Sequence, residues 1–192
     1  MNNYASRITH LKGNPREIGF AAGRMRAAAL AQAISYYIAA RENSKDMEKL
    51  HTGALPWLRR LPKRFQDEFE GMAEGADIPL QRLTEFAYIE ECDAKQCSGA
   101  IYLHENQAWV ARNNDFYVPE LWGYATIREV DGRIPTINFN MEGAVFTPTG
   151  VNKEKLWSHY NFLPVWDEPA MIRMLFLDHG YINYSQLKSL SK

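Results

Sequence analysis

Hydrophobic and polar positions divide the chain into two unlike halves. From residue 1 to about 96, apolar side chains mostly recur with helical spacing. From 97 to about 163 they sit in short apolar blocks separated by turn residues, which predicts strands. Beyond Asp167 the helical spacing returns. The first half opens with a short extended piece, Arg7 to Leu11. Asn14 can then cap a helix whose first position is Pro15. Ile18, Ala22, Met25 and Ala29 keep roughly helical spacing, and the Ala-rich run predicts a helix to about Arg41. Pro56 and Pro62 read as breaks in the region that follows. Phe65, Phe69 and Met72 predict an amphipathic helix closing near Gly71 to Gly75. Leu80, Leu83 and Phe86 to Ile89 predict another short helix, begun after Pro79.

In the second half, Cys97 to Leu103 and Ala108 to Asp115 form two apolar-rich strands around the polar turn His104-Glu105-Asn106-Gln107. Asp131-Gly132 is a tight-turn signal between Tyr124–Val130 and Ile134–Phe139, a second hairpin. Pro148-Thr149-Gly150 marks a further turn, and Leu156 to Leu163 reads as a strand. Helices are expected from about 168 to 179 and 184 to 190. No internal repeat or low-complexity segment interrupts the pattern. The fold class is α+β.

With 192 residues, 46% hydrophobic and 23% charged, the chain can form one medium domain with a real core. The net charge of −1 gives no footprint for nucleic acid or for an anionic membrane surface. The start lacks the apolar core of a signal peptide, and no window approaches the ~18 apolar residues of a membrane helix. A cytoplasmic protein is expected. Cys92 and Cys97 are too few for a disulfide framework, and with no histidine cluster beside them neither a metal nor a cofactor is expected.

The chemistry concentrates at Gln96 to Phe116. A three-residue loop in the first hairpin would set Cys97 opposite Asp115. A two-residue loop would set it opposite Asn114, with Arg112 on the same face. Opposed residues in an antiparallel pair share a face, at Cβ separations of about 4.5–5.5 Å. Arg112 and Asp115 cannot share one in a regular strand, because their separation is odd. A thiol is nucleophilic as thiolate and needs a base. His104 is seven strand residues from Cys97, about 23 Å, which is too far. Cleavage before Cys97 would supply another base, its own α-amine, whose pKa of about 7.7–8.0 lies near working pH. Arg112 could hold a carboxylate or favour the thiolate, and Asp115 could orient the α-ammonium. The plainer readings stand beside these: a buried cysteine acting as a small hydrophobe, and an aspartate serving a turn.

These segments together resemble the acyl-CoA:6-aminopenicillanate acyltransferase-like (peptidase C45) family and, more distantly, the choloylglycine hydrolases, both N-terminal nucleophile hydrolases. Gly13-Asn14-Pro15-Arg16-Glu17-Ile18-Gly19 with Gly23, and Glu70-Gly71-Met72-Ala73-Glu74-Gly75-Ala76 before Ile78-Pro79-Leu80, are similar to two prosegment motifs. Cys97-Ser98 is similar to the nucleophile, Arg112-Asn113-Asn114-Asp115 to the Arg-Asn-x-Asp motif. Gly150-Val151-Asn152 and Asn161-Phe162-Leu163-Pro164 resemble a later strand. The resemblance implies an αββα sandwich in which residues 1–96 are a helical prosegment and 97–192 the nucleophile-bearing part of the same domain. It implies self-cleavage between Gln96 and Cys97, then hydrolysis of linear amide bonds or acyl transfer through a thioester on Cys97. Asn161 would donate to the oxyanion, and Arg112 and Asp115 would polarise the site. The partner would be a small-molecule amide or acyl donor, acyl-CoA among the candidates, and the protein could form a homo-oligomer.

Two features depart from the family. Gln96 stands where Gly is more usual. The family also runs well past residue 192, so a chain ending there would be truncated and lack part of a sheet; a catalytically inactive member or a binding module is the alternative reading. Phe116, Tyr117 and Trp122 could line an acyl pocket or serve the core. His159 reads as a satisfied strand histidine, Arg59 to Arg64 as a solvated basic face, and Gly19 to Gly23 as a helix-packing or turn feature.

Overall fold

The computed structural model describes residues 7–39, 41, 46–92, 96–115, 123–140 and 149–159; at 46, 89–92, 96–97, 114–115 and 140 it describes the backbone. The described residues form four helices and seven strands in two sheets, an α+β protein. No described helix is long and apolar enough to cross a membrane. The helices expected after residue 167 lie outside the described residues.

The first strand, β1 (Ile8–Gly13), leads into helix α1 (Pro15–Ala39). The helix begins as the sequence predicts. Asn14 Oδ1 accepts from the backbone N–H of Glu17, and Glu17 Oε2 accepts from the N–H of Asn14, a reciprocal cap that satisfies two orphan donors. Midway the helix kinks at Arg26 (φ −119°, ψ 15°). The buried guanidinium there donates to Thr9 Oγ1 and Thr126 Oγ1, 3.0 Å each, tying helix to sheet.

Helix α2 (Asp46–Arg60) corrects the reading of Pro56 as a break, because Pro56 lies inside it. Leu50, Ala54, Trp57 and Leu58 are buried at helical spacing, and this apolar stripe holds the helix on the core. The carbonyl that Pro56 leaves unbonded belongs to Thr52. Both residues are exposed, so water can satisfy it. Arg59 and Arg60 occupy the last turn, where the helix dipole favours cations.

Helix α3 (Lys63–Ala76) ends one residue past the Gly71 to Gly75 region where the sequence closes it. Gly71 and Gly75 do not close it; they are its contact with α1. A Cβ on Gly71 would lie 2.2 Å from the carbonyl oxygen of Arg16, and one on Gly75 2.1 Å from that of Phe20. In return, Cβ atoms on Gly19 and Gly23 of α1 would lie 2.0 and 2.2 Å from the carbonyl oxygens of Glu68 and Met72. Two Gly-x-x-x-Gly faces therefore interlock backbone to backbone, and the two motifs that resemble prosegment signatures are halves of one helix crossing. The real stop of α3 is Asp77, in the left-handed conformation (φ 55°), whose N–H returns to Ala73 and Glu74.

Helix α4 (Leu80–Cys92) completes the helical layer. Ile18, Leu30, Tyr37, Ile38, Leu58, Phe69, Leu83 and Phe86 are nearly sealed from solvent. Tyr37 meets Phe86 edge-on at 5.5 Å, and Trp57 meets Phe69 at 5.9 Å.

Two strands, β2 (Gln96–His104) and β3 (Gln107–Asp115), form a separate antiparallel pair. The second sheet takes β4 (Tyr124–Val130), β5 (Thr136–Asn140), β6 (Thr149–Asn152) and β7 (Trp157–His159), in the order β1-β4-β5-β6-β7. Thr149 and Gly150 thus belong to a strand, not to the turn expected at 148–150. The ladder Thr126–Asn138–Gly150–Ser158 gives the face shared with Thr9, on which Arg26 reaches the sheet. Arg128, on the same face, pairs with Glu68 of α3. The opposite face carries Ile127, Ile137, Phe139, Val151, Trp157 and His159.

Candidate active site

The hairpin register resolves the two loop alternatives. Its turn is two residues, Glu105 (φ 48°) and Asn106 (φ 63°), both left-handed, and His104 pairs with Gln107. Successive positive φ values are those of a type I′ turn, whose twist suits a tight hairpin. The ladder then sets Cys97 opposite Asn114, Gly99 opposite Arg112, Ile101 opposite Val110 and Leu103 opposite Ala108. These pairs share one face. Asp115 pairs with Gln96 on the other, and no bulge within the ladder brings Asp115 round to Arg112.

One face of β2–β3 is therefore graded along its length. Cys97, Asn114 and Arg112 occupy the end beside the cleavage point predicted from sequence; Ile101, Leu103, Val110 and Ala108 occupy the end beside the turn. Arg112 is half-buried, whereas Ile101 and Leu103 are 63% and 75% exposed. On the other face, Tyr102 and Trp109 form a directly opposed pair that is also exposed. His104 sits at the turn, stacked on Tyr102 and 3.7 Å from Glu105, at the far end of the ladder from Cys97.

A histidine does reach the hairpin, from the other sheet. An ideal Cβ built on Gly99 would lie 3.1 Å from Nε2 of His159. The direction of that Cβ shows that the Cys97–Gly99–Ile101 face is the one turned toward β7. On its other side, His159 Nδ1 accepts from the indole N–H of Trp157 at 2.9 Å. Trp157 and His159 alternate on one side of β7, a pairing legible in Trp157-Ser158-His159. Its approach to Gly99 spans two sheets and has no local signal.

Of the residues the sequence singles out, the structure brings Cys97 and Arg112 onto one face and places Asp115 on the reverse. Phe116, Tyr117, Trp122 and Asn161 lie outside the described residues. Elsewhere, a depression of about 570 Å³ beside the end of α3 is lined by Glu70, Glu74, Asp77, Ile78 and Pro79, with no nucleophile. Glu85, in α4, has a side chain only 1% exposed, receives hydrogen bonds from Gln81 and Arg82 and pairs with His51. Burial pushes its carboxyl up, but those bonds outweigh it and hold the group below the usual carboxylate range. An anion locked to α2 and α4 is a structural tie. No protein-family model matches the chain, and no curated protein matches it.

Proposed function

We propose that the chain is a self-processing enzyme of the N-terminal nucleophile type, with Cys97 as nucleophile, acting on linear amide bonds or transferring acyl groups. The observation that carries this reading is the register: it sets Cys97 and Arg112 on one face, two rungs apart in the ladder. A helical layer against a five-stranded sheet, approached on the opposite face by the β2–β3 hairpin where Gly99 nears His159, supports part of the layering of an αββα sandwich.

In the first step the Cys97 thiol adds to the carbonyl carbon of Gln96, and the peptide C–N bond breaks to leave a thioester and a free α-amine. Water then hydrolyses the thioester, leaving Gln96 as a carboxylate. In turnover the α-amine takes the thiol proton, the sulfur attacks the substrate carbonyl, and the leaving amine departs with that proton. Water, or a second amine, releases the acyl group. Arg112 steadies negative charge near the sulfur, Asp115 orients the α-ammonium, and Asn161 donates to the oxyanion, a role whose loss costs about 10²–10³ in rate.

Intact-mass spectrometry tests the proposal. The purified chain should resolve into pieces 1–96 and 97–192, and Cys97→Ala should stay whole. A wild-type chain that remains whole on long incubation overturns it. The exposed Ile101, Tyr102, Leu103 and Trp109 favour a second reading, a non-catalytic module that binds a partner through this hairpin.

A further inference from the structure

We infer that the apolar face of the β2–β3 hairpin formed by Ile101 and Leu103 is the seat of the chain's own stretch Ala170 to Leu177, docked there as a helix. The face is then an internal surface, not the dock of another protein. Hairpin and stretch both follow Cys97, so cleavage before Cys97 neither makes nor breaks the contact.

A two-stranded hairpin is marginal in water unless a third strand or a helix packs on it. The root of this hairpin has support, because Gly99 lies against His159 of β7. Beyond that point the same face carries Ile101 and Leu103 on β2, with Val110 and Ala108 opposite them on β3. Among the described residues, no large apolar side chain is more exposed than Leu103, and Ile101 is nearly as open. An apolar patch of this kind on a regular ladder calls for a cover. The chain delivers one to the correct side. β7 ends at His159, against the Gly99 face, so the residues that follow leave from beside the patch. From His159 to Ala170 the chain can span up to about 36 Å, whereas Leu103 lies only about 13 Å along β2 from Gly99. The stretch that arrives reads Ala170-Met171-Ile172-Arg173-Met174-Leu175-Phe176-Leu177, with Arg173 its one polar residue. A helix apolar almost all round needs burial, and methionine adapts to irregular aliphatic surface. The reverse face of the hairpin suits it less, since that side is turned away from β7 and Tyr102 is already stacked on His104 there. A second copy could meet the same patch, but a tethered segment competes at a millimolar effective concentration.

The test uses the full chain with labelled Met, Ile and Leu methyl groups. Nuclear Overhauser cross-peaks should join Ile101 or Leu103 to Met171, Met174 or Leu175. Backbone amides of residues 170–177 should be protected from hydrogen exchange. Leu103→Lys puts a charge into the contact and should speed their exchange about tenfold or more, the ordinary worth of a buried leucine. Trp109→Thr, on the reverse face, should leave that exchange unchanged. A wild-type chain without these cross-peaks, exchange at 170–177 that Leu103→Lys does not alter, or equal acceleration by Trp109→Thr overturns the inference. Cross-peaks that arise only between differently labelled molecules in a mixed sample also overturn it, and assign the face to a second copy. Should Leu103→Lys fail to fold, the wild-type and mixed-label spectra decide alone. Intact mass on the same samples separates this contact from the proposed activity. A cleaved chain that lacks the cross-peaks defeats the contact alone, whereas a whole chain that shows them defeats self-processing alone.

Discussion

Arg128 on β4 donates to Glu68 on α3, and the two side chains are only 12% and 6% exposed. The pair crosses from the helical layer to the sheet inside a nearly dry interface. Removing one member of such a pair takes a close, weakly screened partner from the other, at a cost of up to about 3–5 kcal/mol. Arg128→Met should therefore lower the urea midpoint strongly. The double variant Arg128→Met with Glu68→Leu should recover much of the loss, because neither member then remains buried without the other. Additive losses in the two single variants and the double would show that the pair is not coupled.

Gly71→Ala tests the interlocked helices. Helix propensity alone favours alanine by about 1 kcal/mol. The contact opposes it, since the new methyl would meet the Arg16 carbonyl at 2.2 Å, where only a shift of the backbone makes room. Overpacking of this kind costs about 1–3 kcal/mol or more. Thermal unfolding should show a clear fall in Tm, and a rise would mean that α1 and α3 do not cross at these glycines.

Stability should also carry an acid-side signature from Glu85. Its folded carboxyl titrates below the usual carboxylate value, held there by Gln81, His51 and Arg82 against the opposing effect of burial. A group whose folded pKa is depressed contributes stability that is fully present above its unfolded value, about 4.3. That contribution is lost as pH falls through the lower folded value. Urea midpoints measured downward from about pH 6 should drop through this window. In Glu85→Gln, lower in stability at neutral pH, the drop should be shallower. Identical pH slopes for the two proteins would remove Glu85 from the acid limb.

Cleavage before Cys97 should leave the two pieces together. Arg26 reaches Thr126, Glu68 holds Arg128, and β1 pairs with β4 along six residues, all across the cut. Pieces 1–96 and 97–192 should co-elute in size-exclusion chromatography and separate only in denaturant. Two native peaks would show that these ties are too weak to hold.

Most of this architecture was legible as local pattern. The cap at Asn14, the helix after Pro79 and the turn at Asp131-Gly132 each rest on a few adjacent residues, and each stands where the pattern puts it. Where the structure departs from the local pattern, one cause recurs: packing against other residues sets the role that local habit does not. Pro56 looked like a break, yet the buried stripe Leu50, Ala54, Trp57 and Leu58 carried the helix through it. Gly71 and Gly75 looked like an end because the backbone of α1 that fills their place is distant in sequence. The hairpin register stayed open because Glu105-Asn106 has no glycine to announce two left-handed residues. His159 stands on its strand as a hydrogen-bonded histidine, as the sequence suggests, and only its approach to Gly99, a residue of another sheet, has no local signal.

The parallel pairing of β1 with β4 also dictates an order of assembly. Ile8 finds its partner at Ala125, so β1 cannot take its place until β4 has been made. The helices and the β4–β5–β6–β7 meander can each form from near neighbours, whereas closing the longer loop costs more entropy and comes late. Until it closes, Arg26 lacks Thr126, and the helical half waits on an unfinished sheet. Synthesis therefore has a built-in delay, and any chemistry that needs the completed five-stranded sheet must follow the docking of β1 on β4.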